Sequence, residues 1–144
     1  MISTEKLFNA FFVLIESDEW DTWEESDVEK DLTALMVAAI PFFKFPRCSL
    51  ELTEDGKNFV DDKITNTEFQ ILAHFMKYIW LGRVIDSWEN LRPLYTERDF
   101  SPAKQLAEFR ERQDMVGKAA KELESVYYRS IDRKPFDYTS LAGV

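Results

Sequence analysis

Thr65-Asn-Thr-Glu68, followed by an apolar pattern that runs to Leu91, constrains this chain more than any other stretch. A Thr with a Glu three residues on is a capping box: each side chain satisfies a backbone N–H that the first helical turn leaves without a partner. The helix it opens is predicted over about 65–91. Phe69, Leu72, Phe75 or Met76, and Ile79, then Leu81, Val84, Ile85, Trp88 and Leu91, mark a nearly continuous face, with Ile71, Tyr78 and Trp80 off the stripe. Pro93 ends it. A helix apolar over this much of its surface has to be central, so the rest of the chain must supply the elements that cover it.

Three further helices are predicted. The first spans about Thr4 to Glu16, with Ser3 as cap and Phe8, Phe11, Phe12 and Ile15 at i, i+3, i+4 and i+7. That face, with Leu7 and Leu14, is wide for a short helix, and Phe8 and Phe12 are candidates for a subunit interface. Ser26-Asp-Val-Glu29 reads as a second capping box, opening a helix from about Asp27 to Ala39 that stops before Pro41. Ser101-Pro102 opens the last, from Pro102 to about Tyr128, with proline where the first turn accepts it. Its seam of Leu106, Phe109, Val116, Ala120, Leu123 and Tyr127 is broken only by Gln113.

Pro41 to Lys63 is the least regular part. The prolines at both ends of Pro41-Phe-Phe-Lys-Phe-Pro46 predict extended chain, Ser49 to Thr53 alternates like one short strand, and Glu54-Asp-Gly-Lys57 reads as a turn. A small β flap and a loop packed over the helices by Phe42, Phe43 and Phe45 both fit. The expected fold is therefore mainly all-α: a four-helix-type bundle over 1–128 with an irregular Pro41–Lys63 segment. An extended C-terminal tail over 129–144 follows, where the helical period is lost but large apolar side chains persist. Arg129 and Arg133 give this tail a basic start. Phe136, Tyr138 and Leu141 give it side chains that fill pockets, and these five are its candidate partner-docking residues.

The 144 residues are enough for one domain with a real core. No apolar run approaches the roughly 18 residues of a membrane span, so no membrane partner is expected. The N-terminus lacks the basic start and small-residue cleavage site of a secretory leader. One cysteine, Cys48, cannot close an internal disulfide, which suits synthesis in a reducing cytoplasm. Net charge is −9, and residues 16–31 hold nine acids and one base, so that window alone carries −8. Binding to a nucleic-acid backbone needs clustered Lys and Arg and is disfavoured. The window reads either as a solvated face or as a surface for a basic partner. Within it, Trp20 and Trp23 are either interface anchors or pack back onto the helices.

No catalytic constellation is found. His74 is the one histidine, and with a single distant cysteine it cannot build a Cys/His metal site. It reads as a helix-surface or satisfied core residue. Arg47, just before Cys48, is expected to lower the thiol pKa slightly, yet a nucleophile would still need a base. Asp61-Asp62 and Glu54-Asp55 lack the spacing of a calcium loop. No phosphate loop or hydrolase elbow is present. The chain is expected to be no enzyme, with no catalytic residue, cofactor or metal.

Taken in order, Ile40-Pro-Phe-Phe-Lys-Phe-Pro-Arg47, Phe59-Val-Asp-Asp62, Thr67-Glu-Phe-Gln-Ile-Leu-Ala73, Trp80-Leu-Gly-Arg83, Trp88-Glu-Asn90, Leu94-Tyr95 and Asp99-Phe100 form a set, completed by the long final helix ending in Leu123 to Tyr128. This set resembles small virion proteins of tailed bacteriophages of Gram-positive hosts, over roughly residues 30 to 130. The resemblance implies a helical head–tail connector, or neck, subunit made in the host cytoplasm. It implies a homo-oligomeric ring, commonly of twelve copies, that meets the portal protein and tail or neck proteins. Genomic DNA would pass through it without specific binding, and the tail from Arg129 would be the docking element. A different class remains beside it: an acidic regulatory protein that mimics DNA and inhibits a host nucleic-acid enzyme.

Overall fold

The computed structural model describes residues 1–15, 20–91 and 102–130. Within these the chain is mostly helical, with four α-helices and one small two-stranded sheet. In order they are β1 (Ile2–Ser3), α1 (Glu5–Leu14), α2 (Glu25–Ala39), a 3-10 turn (Ile40–Phe42), β2 (Asn58–Phe59), α3 (Asn66–Leu91) and α4 (Pro102–Ser130).

α3 is the central element and packs against α1, α2 and α4. Ile71, Leu72 and Ala73 are consecutive and all fully buried. Three successive helical positions span about 200° of a helix surface, so no single stripe could bury them. Ile71, which falls off the apolar stripe, is thus as buried as the stripe itself. The capping box forms as the sequence predicts. The Thr65 N–H donates to Glu68 Oε1 at 3.0 Å, the Thr65 hydroxyl to the same oxygen at 2.9 Å, and the Glu68 N–H to Thr65 Oγ1 at 3.4 Å.

The core gathers Leu7, Phe8 and Phe11 of α1, Leu32, Leu35, Met36 and Ala39 of α2, and Ala120 and Tyr127 of α4 around Phe69, Leu72 and Met76. Burying a side chain of this size stabilises a fold by about 1.5–3 kcal/mol. Two glycines, Gly82 on α3 and Gly117 on α4, face the opposite helix at close range. A Cβ added at Gly117 would lie 3.0 Å from the Tyr78 ring, and one added at Gly82 would lie 3.0 Å from Gln113 Nε2. Gln113, the break in the apolar seam, bridges the two helices by donating to the Tyr78 carbonyl at 3.2 Å.

Four local expectations are corrected. α1 starts at Glu5 with Thr4 as N-cap, because Ser3 is held in β1, although Ser3 Oγ still accepts the Glu5 N–H at 3.3 Å. α2 starts at Glu25 behind an extended Glu24, whose carbonyl accepts the N–H groups of Asp27 and Val28. Ser26 therefore lies inside the first turn and forms no cap. The stretch after Ala39 is not extended throughout. Pro41 continues the chain into the 3-10 turn, where its fixed φ is compatible and its missing N–H costs nothing, and the extended conformation begins at Phe43.

The fourth concerns the strand at Ser49 to Thr53, which reduces to one bridge, Leu52 to Phe59. Side chains take two of its backbone donors: the Ser49 N–H goes to Asp61 Oδ2 and the Glu51 N–H to Ser49 Oγ. Such local bonds compete with a ladder. The sheet forms instead between β1 and β2, antiparallel, with Ile2 opposite Phe59 and Ser3 opposite Asn58. The turn read at Glu54–Lys57 is present, with Gly56 at φ 70°, a left-handed backbone that glycine adopts without strain.

Candidate assembly surface

The aromatic residues proposed for an interface separate into two groups. Phe8 and Trp20 are core residues, the latter 6% exposed. The Trp20 ring meets Phe11 at 5.9 Å, Phe12 at 5.6 Å and Trp80 at 6.3 Å between centroids. Its Nε1–H donates to Asp31 Oδ2 at 2.7 Å. Of the two readings open for Trp20, packing back onto the helices is the one observed. Phe12 and Trp23 keep open surface, at 37% and 40%.

The acidic window divides similarly. Asp21, Glu24, Glu25, Asp27 and Glu29 are exposed, and 16–19 lie outside the described residues. Asp31 is turned inward. Arg83 grips it with two nitrogens, at 2.7 and 3.1 Å, while Trp20 donates from a third direction. Burial acts to raise the Asp31 pKa. The bonds from Arg83 and Trp20 and the Arg83 charge outweigh it, so the carboxyl sits below its ordinary 3.8. A lowered folded-state pKa contributes stability above the unfolded value and loses it as pH falls through the folded value. Asp31→Asn is therefore expected to cost about 1–3 kcal/mol at pH 7. The gap between parent and variant should close below about pH 4, read by urea unfolding at both pH values. A gap that stays constant with pH would refute the ionised pair.

At the far end of α4 two adjacent tyrosines bind the 43–48 loop. The Arg47 N–H donates to the Tyr127 hydroxyl oxygen at 2.7 Å, and the Phe45 N–H to that of Tyr128 at 3.0 Å. The Arg47 guanidinium lies 4.4 Å over the Tyr127 ring and donates to the Tyr127 carbonyl at 2.8 Å. Phe43 meets the same ring edge-on at 5.3 Å. The Tyr128 hydroxyl donates to Glu124, and burial together with that carboxylate pushes the phenol up to about 12. Sequence reasoning did not find this clamp. Paired aromatics at a helix end look like ordinary core, and the loop's partners for its backbone N–H groups are 80 residues or more away.

Cys48 corrects a further expectation. Its thiol lies 3.3 Å from the Lys63 carbonyl and 3.8 Å from Glu68 Oε1. Burial, then the charges of Glu68 and Asp61, push its pKa up. Arg47, which was expected to lower it, is drawn away onto Tyr127. Glu68 is 1% exposed, and its Oε2 has no hydrogen-bond partner among the described residues. His74 is half-buried, its Nδ1 2.7 Å from the Gln70 carbonyl. No group of three or more His, Cys, Asp or Glu that could hold a metal occurs among the described residues.

The surface that stands out is an open groove of about 820 Å³ between α1, α3 and α4. Leu14, Trp80, Val84 and Phe109 contribute to its apolar lining, and Lys77 and Arg112 are its basic residues. Val13 and Met115, at 84% and 63% exposed, also line it. The sequence signal for it was present. Val13 and Met115 are apolar residues that the face of the first helix and the seam of the last leave unused. Of the candidate docking residues, Arg129 is exposed at the end of α4, its Nε donating to the Ser125 carbonyl at 3.4 Å. Arg133, Phe136, Tyr138 and Leu141 lie outside the described residues, as does the side chain of Trp88. No helix among the described residues is long and apolar enough to cross a membrane. Comparison with known proteins gave no match among the protein-family models, the curated proteins or the solved structures.

Proposed function

We propose that this chain is a structural assembly protein, a bundle-type subunit of a head–tail connector ring that joins a phage portal to its tail and lines the DNA conduit. The observation that carries the reading is the open groove between α1, α3 and α4, where Val13 and Met115 stand 84% and 63% exposed. Exposed large apolar side chains gathered at one place favour contact with another surface. Two features support it. Phe12 offers further aromatic surface on α1, and the tyrosine clamp fixes the end of α4 from which residues 131–144 depart. The motif set of residues 30–130 supplies the phage context. On this reading the chain carries no catalysis and needs no cofactor.

The test is the mass of the purified chain by light scattering, alone and mixed with the portal protein of its own genome. A ring alone, or a stoichiometric complex with portal, is the expected result. Removing 131–144 should leave helicity and thermal midpoint in place and abolish the complex. A chain that stays monomeric and ignores portal would overturn the connector reading. The exposed acids of α2 beside Trp23 favour a second reading, an acidic inhibitor of a host nucleic-acid enzyme. Capture of such an enzyme from host lysate, released by competing DNA, would support it.

A further inference from the structure

We infer that the clamped 41–47 loop is a docking knob, and that it seats Phe45 in the acidic groove between α1, α2 and the turn at 55–58 of a second copy of this chain. The inference rests on the assembly reading above and names the contact that builds the assembly.

The knob is rigid and open at once. The Phe45 N–H donates to the Tyr128 hydroxyl oxygen at 3.0 Å and the Arg47 N–H to that of Tyr127 at 2.7 Å. Yet Phe45 is 71% exposed and Phe42 45%. Phe45 leans on the Tyr128 ring at 6.1 Å, and Phe42 stacks on Phe75 at 5.8 Å. A loop already held in one shape has little ordering entropy left to lose, so these two rings are preorganised for contact. Basic side chains surround them. Lys44 and Arg47 are exposed in the loop, and Lys118 and Lys121 of α4 line a cavity of about 300 Å³ together with Phe42. Asp114 in that cavity and Glu124 beside Tyr128 offset two of these charges.

The groove is the complement. Its volume is about 750 Å³, and four acids, Glu5, Glu25, Glu29 and Asp55, outnumber two bases, Lys30 and Lys57. Buried Phe8 and Leu32 and the partly exposed Phe12 give it an apolar lining. Phe45 finds apolar contact there, and the bases around it find opposite charge. An aromatic anchor seated in a pocket supplies much of an interface's energy, and complementary charge selects the partner and the orientation. With a net charge of −9, two copies repel unless a surplus of bases on one meets a surplus of acids on the other.

The clamp decides whose loop it is. The groove takes its α2 residues from the stretch between Glu25 and Thr33, and none of the described residues of α3 or α4 lines it. The loop leaves the opposite end of α2 and is bonded to α4. Along the helix, Glu29 and Glu25 lie about 15 and 21 Å from Ala39. Phe45 could enter the groove of its own copy only by giving up the tyrosine bonds that hold the loop. A neighbouring copy meets it with the clamp intact. The contact is heterologous, and repeats of it close a ring or continue as a filament.

The experiment uses full chains with changes at exposed residues. Phe45→Ser and, separately, Lys44→Glu alter the knob; Glu25→Lys and, separately, Glu29→Lys alter the groove. Thermal midpoints establish that each variant is folded, and sedimentation velocity reads the mass. The parent is expected to associate, less so as salt is added. Each variant should be weakened by about tenfold or more, the effect of losing an anchor or its charge complement. Phe45→Ser keeps its groove and Glu29→Lys keeps its knob. Mixed one to one, they should give a heterodimer and nothing larger. A mixture that stays monomeric, variants that associate like the parent, or a parent that is monomeric at all concentrations would overturn the inference. If the mixture fails while portal binding persists, the connector reading stands and only this contact falls. If the heterodimer forms but portal is ignored, the contact stands and the connector reading falls.

Discussion

Replacing Trp20 by alanine should lower unfolding stability by about 3–5 kcal/mol, the range for removing a buried indole and leaving a partly collapsed cavity. The ring lies between Phe11, Phe12 and Trp80, so three neighbours lose an edge-on or tilted partner at once. The same change removes the donor at 2.7 Å from Asp31 and leaves that carboxylate to Arg83 alone. Trp20→Phe separates the two effects. It keeps most of the volume and loses the hydrogen bond, so a cost of about 1–3 kcal/mol is expected. Urea unfolding followed by circular dichroism measures both. A Trp20→Ala variant within 1 kcal/mol of the parent would show that this ring is not part of the core.

Tyr127→Ala should be comparably severe, at about 3–5 kcal/mol, with a second signature that a plain core deletion lacks. Tyr127 is buried against Phe43, accepts the Arg47 N–H and carries the Arg47 guanidinium on its face. Without it the 43–48 loop loses its main tie to α4. Lys44 and Arg47 should then become tryptic cleavage sites under conditions where the parent resists. Tyr127→Phe keeps the ring and deprives the Arg47 N–H of its acceptor, costing about 1–3 kcal/mol while leaving the loop packed. Equal protease resistance in parent and Tyr127→Ala would refute the clamp.

Much of the helical frame was legible because its signals are local. The Thr65–Glu68 capping box and Pro102 sit at the ends they announce, and the burial of Leu106, Val116, Ala120 and Tyr127 follows the seam. Ser26-Asp-Val-Glu29 misled because two acids ahead of it, Glu24 and Glu25, also favour a helix start through the dipole, and the helix begins two residues earlier. β1 was not legible, since two residues carry no periodicity. Ile71 was left off the buried face and Trp20 was left open for a common reason. A period identifies one buried face, whereas α3 is covered from several directions and Trp20 is buried by partners from α1 and α3. The groove was half legible, in apolar residues with no role, but its concavity comes from how three helices meet.

The stitch between Thr4 and Lys57 bears on the order in which the molecule forms. The Thr4 N–H donates to the Lys57 carbonyl at 3.0 Å and its hydroxyl to the same oxygen at 3.1 Å, across 53 residues of chain. Closing so long a loop is entropically costly and returns only a two-residue ladder. The α3 helix and its apolar neighbours are therefore expected to order before this ladder in folding. The N-terminal strand therefore closes last and opens first. Its amides should exchange with deuterium by local fraying, while those of Ile71 to Ala73 wait for global unfolding.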